Sequence, residues 1–311
     1  MTLLVAGSAN LDFVVRVHHV PAPGETVLGR SLQTYPGGKG ANQAIACARA
    51  GGADTRMLLA LGNDAYALPV EASLREAGVA LQVVRSTDQP TGTAFIGLAD
   101  DAENAIIVAP GANTTLRAED LPSLDGISHL LLQLETPLAT VTAFARRARA
   151  AGVQVVLNAA PAQALGPDLL GNIDLLIVNE AELGVLAGDP GTAGADDLLA
   201  RLARVAVPTV IVTRGALGAL ARAGTAMLQQ PGFAVEPLDT TAAGDTFCGV
   251  LVAALSQGDA MPQAMRRACA AAALACTRIG AQPSIPMRAE VDAFLDRVGA
   301  APVADPHRLA Y

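Results

Sequence analysis

The second half of the chain alternates short aliphatic runs with segments of helical length. Such nearly continuous apolar runs are typical of strands that are buried on both faces of a parallel sheet. The repeated strand and helix order predicts a Rossmann-like, doubly wound, mostly parallel α/β sheet. The strand candidates are residues 130–132, 153–157, 175–178 and 209–212, and the helix candidates are residues 138–151, 179–187 and 195–205.

Two further stretches depart from this order and indicate a separate small β-sheet. They contain β-type segments at residues 11–17 and 26–34, and at residues 91–99 and 104–108, that are joined by Pro/Gly-containing or acidic turns. A sheet of this size is not stable alone and has to pack on the core, a ligand or a second subunit. We therefore expect a small sheet that projects from the core. The predicted division is an α/β core of residues 1–10, 36–90 and 110–300, a small β-sheet of residues 11–35 and 91–109, and a C-terminal tail of residues 301–311.

Polar residues follow the apolar runs. In an open parallel sheet, ligands bind outside the carboxyl ends of the strands. Contact with solvent explains any one of these residues equally well, but their common position favours a site. They are Gln133, Glu135, Asn158, Asn179 and Thr213.

Composition and charge exclude several functions. The 311 residues carry a net charge of −8, and no basic run is longer than two adjacent arginines. The electrostatic footprint of a nucleic-acid-binding protein is therefore missing. If the ligand carries phosphates, something other than a lysine cluster has to hold them. The four cysteines form no C-x-x-C pair, which disfavours a zinc or disulfide scaffold.

The hydropathy of the chain argues against a membrane protein. Its longest apolar stretch, residues 268–276, is far shorter than the roughly 18 residues that cross a bilayer. The N-terminus has no basic region before its apolar residues and has the pattern of a first strand. We expect a cytoplasmic enzyme with neither a membrane nor a nucleic-acid partner.

Residues 239–249 predict an anion site. The small residues Ala242, Ala243 and Gly244 allow a ligand to approach the backbone, and an apolar helix begins there. Free amide groups and the positive end of the helix dipole then point outward. Asp245 in the first turn can accept a proton from an attacking hydroxyl, although capping of its own helix is the alternative role.

Two N-terminal segments offer polar groups that suit a polyol. Residues 36–44 form a Gly-rich loop that opens a helix, but no Ser or Thr follows Lys39, so the loop is not a Walker A motif. Lys39 and Asn42 supply donors. Asn10 and Asp12 share one face of an extended segment, and a carboxylate can accept from two neighbouring hydroxyls. A plain helix N-terminus and an Asx turn are the alternatives.

Eight motifs, in order along nearly the whole chain, resemble those of the PfkB carbohydrate kinase family and, within it, the ribokinase group. Any one motif could occur by chance, but their ordered combination is specific. They begin at Gly7 (GSANLD), Pro23 (PGET), Gly37 (GGKGANQA), Gln133 (QLETP), Asn158 (NAAPA), Asn179 (NEAEL), Ala242 (AAGDTF) and Gly280 (GAQPS).

The resemblance implies transfer of the γ-phosphate of ATP to the 5-hydroxyl of D-ribose, by an enzyme whose β lids pair in a homodimer. It implies that Asp245 is the general base. It also implies that the amides of Ala242, Ala243 and Gly244 form the anion hole. The implied sugar site consists of Asn10, Asp12, Gly38, Lys39, Asn42, Glu135 and Asp245.

The resemblance further implies Mg²⁺ and an activating K⁺. Asn179 and Glu182 match the family's Asn-x-x-Glu, which positions the magnesium of ATP largely through water. The implied nucleotide site consists of Asn179, Thr213, Gly215, Gly218, Gly244 and Cys269. The implied potassium site consists of Asp239, Thr241, Ala275, Arg278, Gly280 and Ser284, mostly through backbone carbonyls.

The chain departs from the family at two places. Leu217 and Cys269 stand where polar residues are common near the adenine, so we expect mostly apolar contacts with the base. The pair His18 and His19 in the predicted lid lacks an evident third ligand, which favours surface residues over a metal site.

Three alternatives remain. One is a PfkB-family kinase for deoxyribose, another sugar or a nucleoside. A second is a sugar-binding regulator without catalysis, which retention of Asp245, Asn179 and Glu182 disfavours. The third is a nicotinamide-dependent dehydrogenase, which is disfavoured because the first strand leads into Gly7-Ser-Ala-Asn and not into G-x-G-x-x-G.

Overall fold

The computed structural model describes residues 2–99, 104–189 and 195–299, and their strands form two sheets. The strands are β1 (Thr2–Ala6), β2 (Asn10–Arg16), β3 (Ser31–Gly37), β4 (Thr55–Gly62), β5 (Ala80–Ser86), β6 (Gly92–Leu98), β7 (Asn104–Ala109), β8 (Ile127–Leu132), β9 (Gln154–Asn158), β10 (Leu175–Asn179), β11 (Thr209–Thr213), β12 (Ala219–Ala223) and β13 (Ala226–Gln230).

The helices alternate with the strands of the larger sheet. They are α1 (Lys39–Ile45, continued by a π-helical turn at Ala46–Ala50), α2 (Ala67–Glu76), α3 (Leu138–Ala150), α4 (Pro167–Leu170), α5 (Glu180–Leu186), α6 (Ala195–Arg204), α7 (Ala243–Ser256), α8 (Met261–Cys276) and α9 (Arg288–Val298). Short 3₁₀ turns lie at Gly111–Thr115, Ala118–Asp120, Gly215–Leu217 and Gln282–Ser284. In the described ranges, each helix is too short or too polar to pass through a bilayer.

The larger sheet has nine strands in the order β13-β12-β11-β10-β9-β8-β1-β4-β5. Seven of them are parallel, and β12 and β13 continue the sheet antiparallel at one edge. The strands that the aliphatic runs predict, β8 to β11, are adjacent in the middle of this sheet. The prediction of a doubly wound, mostly parallel α/β core is confirmed.

Helices cover both faces of this sheet because successive side chains of each strand point to opposite faces. Leu3 belongs to a buried cluster with Val250 of α7, whereas the next residue, Leu4, belongs to a second cluster with Val141 of α3. All four side chains are almost completely buried. A central strand with two apolar faces therefore fixes the three-layer arrangement.

The smaller sheet has four strands in the order β3-β2-β6-β7 and starts at the edge of the core. Asn10, the first residue of β2, lies opposite Gly37 of β3 and Gly92 of β6. The predicted separate β-sheet is thus present. We call this four-stranded sheet the lid.

Strand β3 begins later than the sequence pattern predicts, because residues 17–30 form a closed loop. Within that loop, the Glu25 carboxylate accepts the Ala22 amide and pairs with His19. The chain pairs with β2 again at Arg30, whose main-chain amide donates to the carbonyl of Arg16. The predicted β segment that starts at residue 26 is therefore a strand only from residue 31.

Side chains of the core hold the base of the lid. Asp64 accepts the Thr91 amide with one carboxylate oxygen and the amides of Tyr66 and Ala67 with the other. The ring of Phe13 in the lid packs edge-on against Tyr66 at a centroid distance of 5.5 Å. These contacts fix where the lid leaves the core.

Candidate active site

The carboxyl edge of the nine-stranded sheet opens into a cavity of about 240 Å³. One amine, two amides and two carboxylates share this space, from Lys39, Asn158, Asn179, Glu182 and Asp245. A second cavity, of about 210 Å³, lies at the amino end of the sheet, and Arg56 is the charged residue in its lining. The first cavity is the candidate active site because it gathers several groups that can exchange protons or bind anions.

Helix α7 begins at this cavity with a strained turn. Ala242 precedes the helix with φ of 58°, a left-handed conformation that costs roughly 1–2 kcal/mol for a residue other than glycine. The Ala243 amide donates to the carbonyl of Thr240 at 3.2 Å. The amides of Gly244 and Asp245 lie in the first turn, where no carbonyl inside the helix is available to them. The start of α7 thus offers main-chain donors and the positive end of its dipole.

Asp245 is buried and is held by two amide side chains from α1. Asn42 Nδ2 donates to Asp245 Oδ2 at 3.0 Å, and Gln43 Nε2 donates to Asp245 Oδ1 at 2.9 Å. The two helices approach closely because α7 carries Gly249 at their crossing, where a Cβ would lie 2.5 Å from the Gln43 carbonyl oxygen. The structure therefore brings Asn42 and Asp245 together, as the sequence motifs predict.

Asn10 is oriented by a buried asparagine that follows the lid. Asn113 Oδ1 accepts the main-chain amide of Ala9, so Asn113 Nδ2 is the group that donates to Asn10 Oδ1, at 2.8 Å. The amide oxygen of Asn10 is thereby occupied. Its Nδ2 remains available, which makes Asn10 a donor towards a ligand.

Two buried oxygens near Asp245 have no hydrogen-bond partner. They are Asp12 Oδ1 and Asn42 Oδ1. Buried polar atoms are normally paired, and an unpaired acceptor costs about 1–3 kcal/mol. Both atoms can accept hydrogen bonds from hydroxyl groups. Together with the donor on Asn10, they form a pattern that suits a polyol.

The glycine-rich loop fits closely around these groups. A Cβ on Gly37 would lie 2.1 Å from Asp12 Oδ2, and a Cβ on Gly38 would lie 2.8 Å from the Cα of Ala9. Gly38 also has φ of 89°, which other residues rarely adopt. The glycines at these positions therefore let the loop lie directly against β2 and its carboxylate.

Glu135 has a structural task beside its predicted role at the sugar. Its Oε2 accepts the Ser8 hydroxyl at 2.6 Å and the main-chain amide of Lys39 at 3.0 Å. Ser8 Oγ in turn accepts the Gly40 amide at 3.2 Å. One carboxylate oxygen of Glu135 thus fastens the start of α1 to the loop after β1. The other oxygen stays available to a ligand.

The carboxylates of the site affect the pKa values of Asp12 and Lys39. Burial, together with the charges of Glu135 and Asp245, raises the pKa of Asp12 to about 7. The charge of Asp245 raises the pKa of Lys39 against the opposing effect of burial. Lys39 therefore stays protonated in a site that is otherwise acidic.

Asn179 and Glu182 form a capping box at the start of α5. Asn179 Oδ1 accepts the Glu182 amide, and Glu182 Oε2 accepts the Asn179 amide, both at 2.8 Å. Burial raises the pKa of Glu182, opposed by the amide of Asn179 and the charge of Lys39. Both residues line the cavity. One carboxylate oxygen of Glu182 is left free, which suits water-mediated contact with a magnesium ion.

The predicted nucleotide residues spread from this cavity towards α8. Thr213 is opposite Asn179 on β11 and lines the cavity with Gly244. Gly215, Gly218 and Cys269 are not in its lining. Gly218 has φ of 89° and a Cβ there would lie 2.1 Å from a backbone oxygen, so the loop needs glycine. Leu217 in the same loop has an exposed side chain, as an apolar surface for a base requires.

Asp239 connects the two loops that contain the predicted potassium residues. Its carboxylate accepts the amides of Thr241 and Gly280, both at 2.8 Å. Partial burial acts to raise the pKa of Asp239, but these hydrogen bonds lower it, and the net shift is downward. Arg278 pairs through its side chain with Glu290. Ala275 ends α8 and Ser284 lies in the 3₁₀ turn of the second loop.

These loops contain no group of three or more His, Cys, Asp or Glu side chains that could hold a metal, and neither does the rest of the described chain. A cation at the Asp239 loops would depend mainly on main-chain carbonyls. Carbonyl oxygens are the ligands of K⁺ in potassium channels, so this donor type is compatible with the ion that the motifs imply.

Sequence reasoning gives no role to Ser8, Gln43 or Asn113. Ser8 and Gln43 lie inside the quoted motifs, so the motifs mark them without indicating what they contact. Each bonds to a partner more than 100 residues away in the chain. No local pattern contains that information.

Comparison with known proteins agrees with this geometry. Residues 2–288 match the model of the pfkB family carbohydrate kinases. The chain is 40% identical to the ribokinase of Haemophilus influenzae, over 95% of this chain and 98% of that protein. Its fold is similar to the crystal structure of ribokinase from Thermotoga maritima, with a TM-score of 0.86, 36% identity, and coverage of 95% and 99%.

A second similar structure contains ligands. It is the structure of Arabidopsis thaliana ribokinase complexed with ribose and ATP, with a TM-score of 0.86, 34% identity, and coverage of 94% of this chain and 97% of that chain. The family match covers nearly the whole chain. The chain therefore belongs to the pfkB family of carbohydrate kinases.

Proposed function

We propose that this protein transfers the γ-phosphate of ATP to the 5-hydroxyl of D-ribose. The observation that carries the proposal is the position of the Asp245 carboxylate. It lies at the first turn of α7, beside main-chain donors for phosphate on one side and the unpaired oxygens of Asp12 and Asn42 on the other. Relatives that are named ribokinase over their full length support ribose as the sugar.

In the proposed reaction, Asp245 accepts the proton of the attacking sugar hydroxyl. The hydroxyl oxygen forms a bond to the γ-phosphorus, and the bond from that phosphorus to the bridging oxygen of ADP breaks. Charge on the transferring phosphoryl group is stabilised by the amides at Ala242, Ala243 and Gly244 and by Lys39. The sugar is held by Asn10, Asp12, Asn42 and the free oxygen of Glu135, and the lid excludes water from the site.

Two cations complete the proposed site. Asn179 and Glu182 would hold Mg²⁺ through water. The two loops joined by Asp239 would hold K⁺ at a site made of Asp239, Thr241, Ala275, Arg278, Gly280 and Ser284. These cations would supply positive charge that offsets the charge of the phosphates. Asp239 itself keeps both loops in place.

We further propose that the lid pairs with the lid of a second copy. Phe95 and Ile107 are cross-strand neighbours on one face, exposed by 51% and 70%. Ile106 and Val108 are exposed on the other face of the same strand. A sheet that exposes apolar residues on both faces is typical of an interface, because a four-stranded sheet cannot bury them alone.

A coupled assay with a panel of acceptors tests the proposed substrate. We expect turnover on ribose to exceed turnover on 2-deoxyribose, fructose and adenosine at equal concentration, because hydroxyl-binding groups penalise a missing hydroxyl. A wide preference for another acceptor would assign the protein to that branch of the family. ATP-independent sugar binding without any turnover would indicate a regulator.

Substitution of the proposed base tests the mechanism. Asp245→Asn keeps the shape of the side chain and should lower kcat by roughly two orders of magnitude or more while ribose binding is retained. The control is Asp296→Asn, since Asp296 is exposed on α9 away from the cavity. Steady-state kinetics and ribose titration check this. Near-normal kcat in the Asp245 variant would contradict the assignment.

The raised pKa of Asp12 predicts pH-dependent sugar binding. The free protein holds a proton on Asp12 below about pH 7, but hydroxyl groups bind best to the ionised carboxylate. The KM for ribose should therefore rise as the pH falls, by about tenfold between pH 8 and pH 6 for one group titrating at 7. The Asp12→Asn variant should lack this dependence. A flat KM in the wild type would show that Asp12 does not titrate in this range.

Substitution of an exposed apolar residue of the lid by a charged one tests the proposed dimer. Ile107→Asp should lower the association constant by at least about tenfold, because the buried charge has no partner. Leu68→Asp is the matched control, since Leu68 is 68% exposed on α2 outside the lid. Sedimentation velocity distinguishes the species. A monomeric wild type, or an Ile107→Asp variant that dimerises as well as the control, would refute this interface.

A further inference from the structure

Two of the polar residues that follow central strands have no part in the proposed sugar and nucleotide contacts. Gln133 follows β8 and Asn158 ends β9. Both bond to the same side chain, Gln43 of α1. Gln133 Nε2 donates to Gln43 Oε1 at 2.7 Å, and Gln43 Nε2 donates to Asn158 Oδ1 at 2.9 Å. Gln43 is fully buried.

The hydrogen bonds fix the orientation of all three amides. The carbonyl of Ile177 on β10 can only accept, so Asn158 Nδ2 faces it, at 3.1 Å. Asn158 Oδ1 therefore faces Gln43 and requires a donor there. The NH₂ group of Gln43 supplies that donor with one hydrogen and reaches Asp245 Oδ1 with the other. Gln133 closes the arrangement by donating to the oxygen of Gln43.

Gln43 thus links the edge of the central sheet to the carboxylate at the start of α7. Its position also keeps it away from the sugar, because it lies behind Asp245 in the core while the neighbouring Asn42 carries the unpaired oxygen. Burying three amides costs free energy, and here Gln133 Oε1 is buried without a hydrogen-bond partner. An apolar residue would fill this part of the core at lower cost, so the amide network points to a role other than packing.

We propose that Gln43 is the positioning residue for Asp245, with Gln133 and Asn158 fixing its orientation. The inference rests on the proposed function, in which Asp245 is the base. The Gln43 amide holds Oδ1 towards the core, and the Asn42 amide holds Oδ2. Two fixed donors set the direction of the carboxylate, and proton transfer requires the base to be placed at the attacking hydroxyl.

Removal of the donor tests the positioning role. Gln43→Met keeps the length of the side chain and should lower kcat by about tenfold or more, while the KM for the sugar stays within about threefold, because the lost contact is not with the sugar. The matched control is Gln257→Met, since Gln257 makes one ordinary bond, to the carbonyl of Gly51 at 2.9 Å. Its kcat should be unchanged. An unchanged kcat in folded Gln43→Met would overturn the proposal.

A negative charge at position 43 tests the positioning role through the pH profile of kcat, which a purely structural role of Gln43 would not change. Gln43→Glu places a second carboxylate next to Asp245, and two such groups share a proton. The acidic limb of the pH profile of kcat should move to higher pH by about one unit or more. Gln257→Glu should leave the profile in place. An unshifted profile in Gln43→Glu would also overturn the proposal.

Gln133→Met keeps the test decisive if the Gln43→Met chain does not fold. This change removes the donor to Gln43 Oε1 and leaves Asp245 and its direct partners intact, so kcat should fall by a smaller factor, about threefold to tenfold, at unchanged KM. Full kcat in folded Gln133→Met would count against the network. Circular dichroism establishes folding for each variant.

The activity of the wild type distinguishes failure of the positioning role from failure of the proposed function. All variants are compared with the wild type on the acceptor that it phosphorylates best, so the ratios report on Gln43 whichever sugar that is. A best acceptor other than ribose would refute the proposed substrate and leave these ratios meaningful. Absence of turnover on every acceptor would refute both the kinase and the need for a positioned base.

Discussion

The approach of α1 to α7 is the contact on which the rest of the site depends. Asn42 and Gln43 reach Asp245 only because the helices cross closely, and Gly249 provides the space for that crossing. The helix α1 is itself fastened at its start by Glu135 through Ser8 and the Lys39 amide. A displacement of either helix would separate the carboxylate from both of its donors at once.

This packing also explains how a chain of net charge −8 can present a phosphate site. Side-chain charge near the cavity is mainly negative, with Lys39 as a half-buried cation among carboxylates. Positive potential for an anion therefore has to come from Lys39 and from main-chain amides at helix starts. Burial and the neighbouring carboxylates together raise the pKa of Asp12 in the same part of the site.

The junction between core and lid places sugar contacts on the strands that would move with the lid. Asn10 begins β2 beside Gly92 of β6, and Asn113, which lies beyond β7, bonds to both Ala9 and Asn10. A Cβ on Gly92 would lie 2.3 Å from Asn10 Oδ1, so these elements are in tight contact. In the proposed enzyme, occupation of the sugar site and closure of the lid would act on the same side chains.

The sequence by itself determined the class of fold and the location of the chemistry. Apolar runs with helices between them require a parallel sheet that is covered on both faces, and polar residues after those runs have to meet at its carboxyl edge. The motifs around Lys39, Asp245 and Asn179 marked the candidate site. Two of them contain glycine and other small residues, which allow a ligand or a neighbouring strand to approach the backbone closely. The start of β3 was misplaced, since a loop closed by Glu25 delays the strand.

Tertiary structure alone decided what these residues contact. Gln43 bonds to Asp245, which is 202 positions later in the sequence, and to Gln133, which is 90 positions later. A local sequence pattern cannot predict contacts between residues so far apart in the chain. Tertiary contacts likewise decide three other features of the site: the bonds of Glu135 to Ser8 and the Lys39 amide, the orientation of the Asn10 amide as a donor, and the raised pKa of Asp12. Hydrogen-bond direction and desolvation depend on which groups become neighbours after folding, and packing sets those neighbours, not the order of residues in the chain.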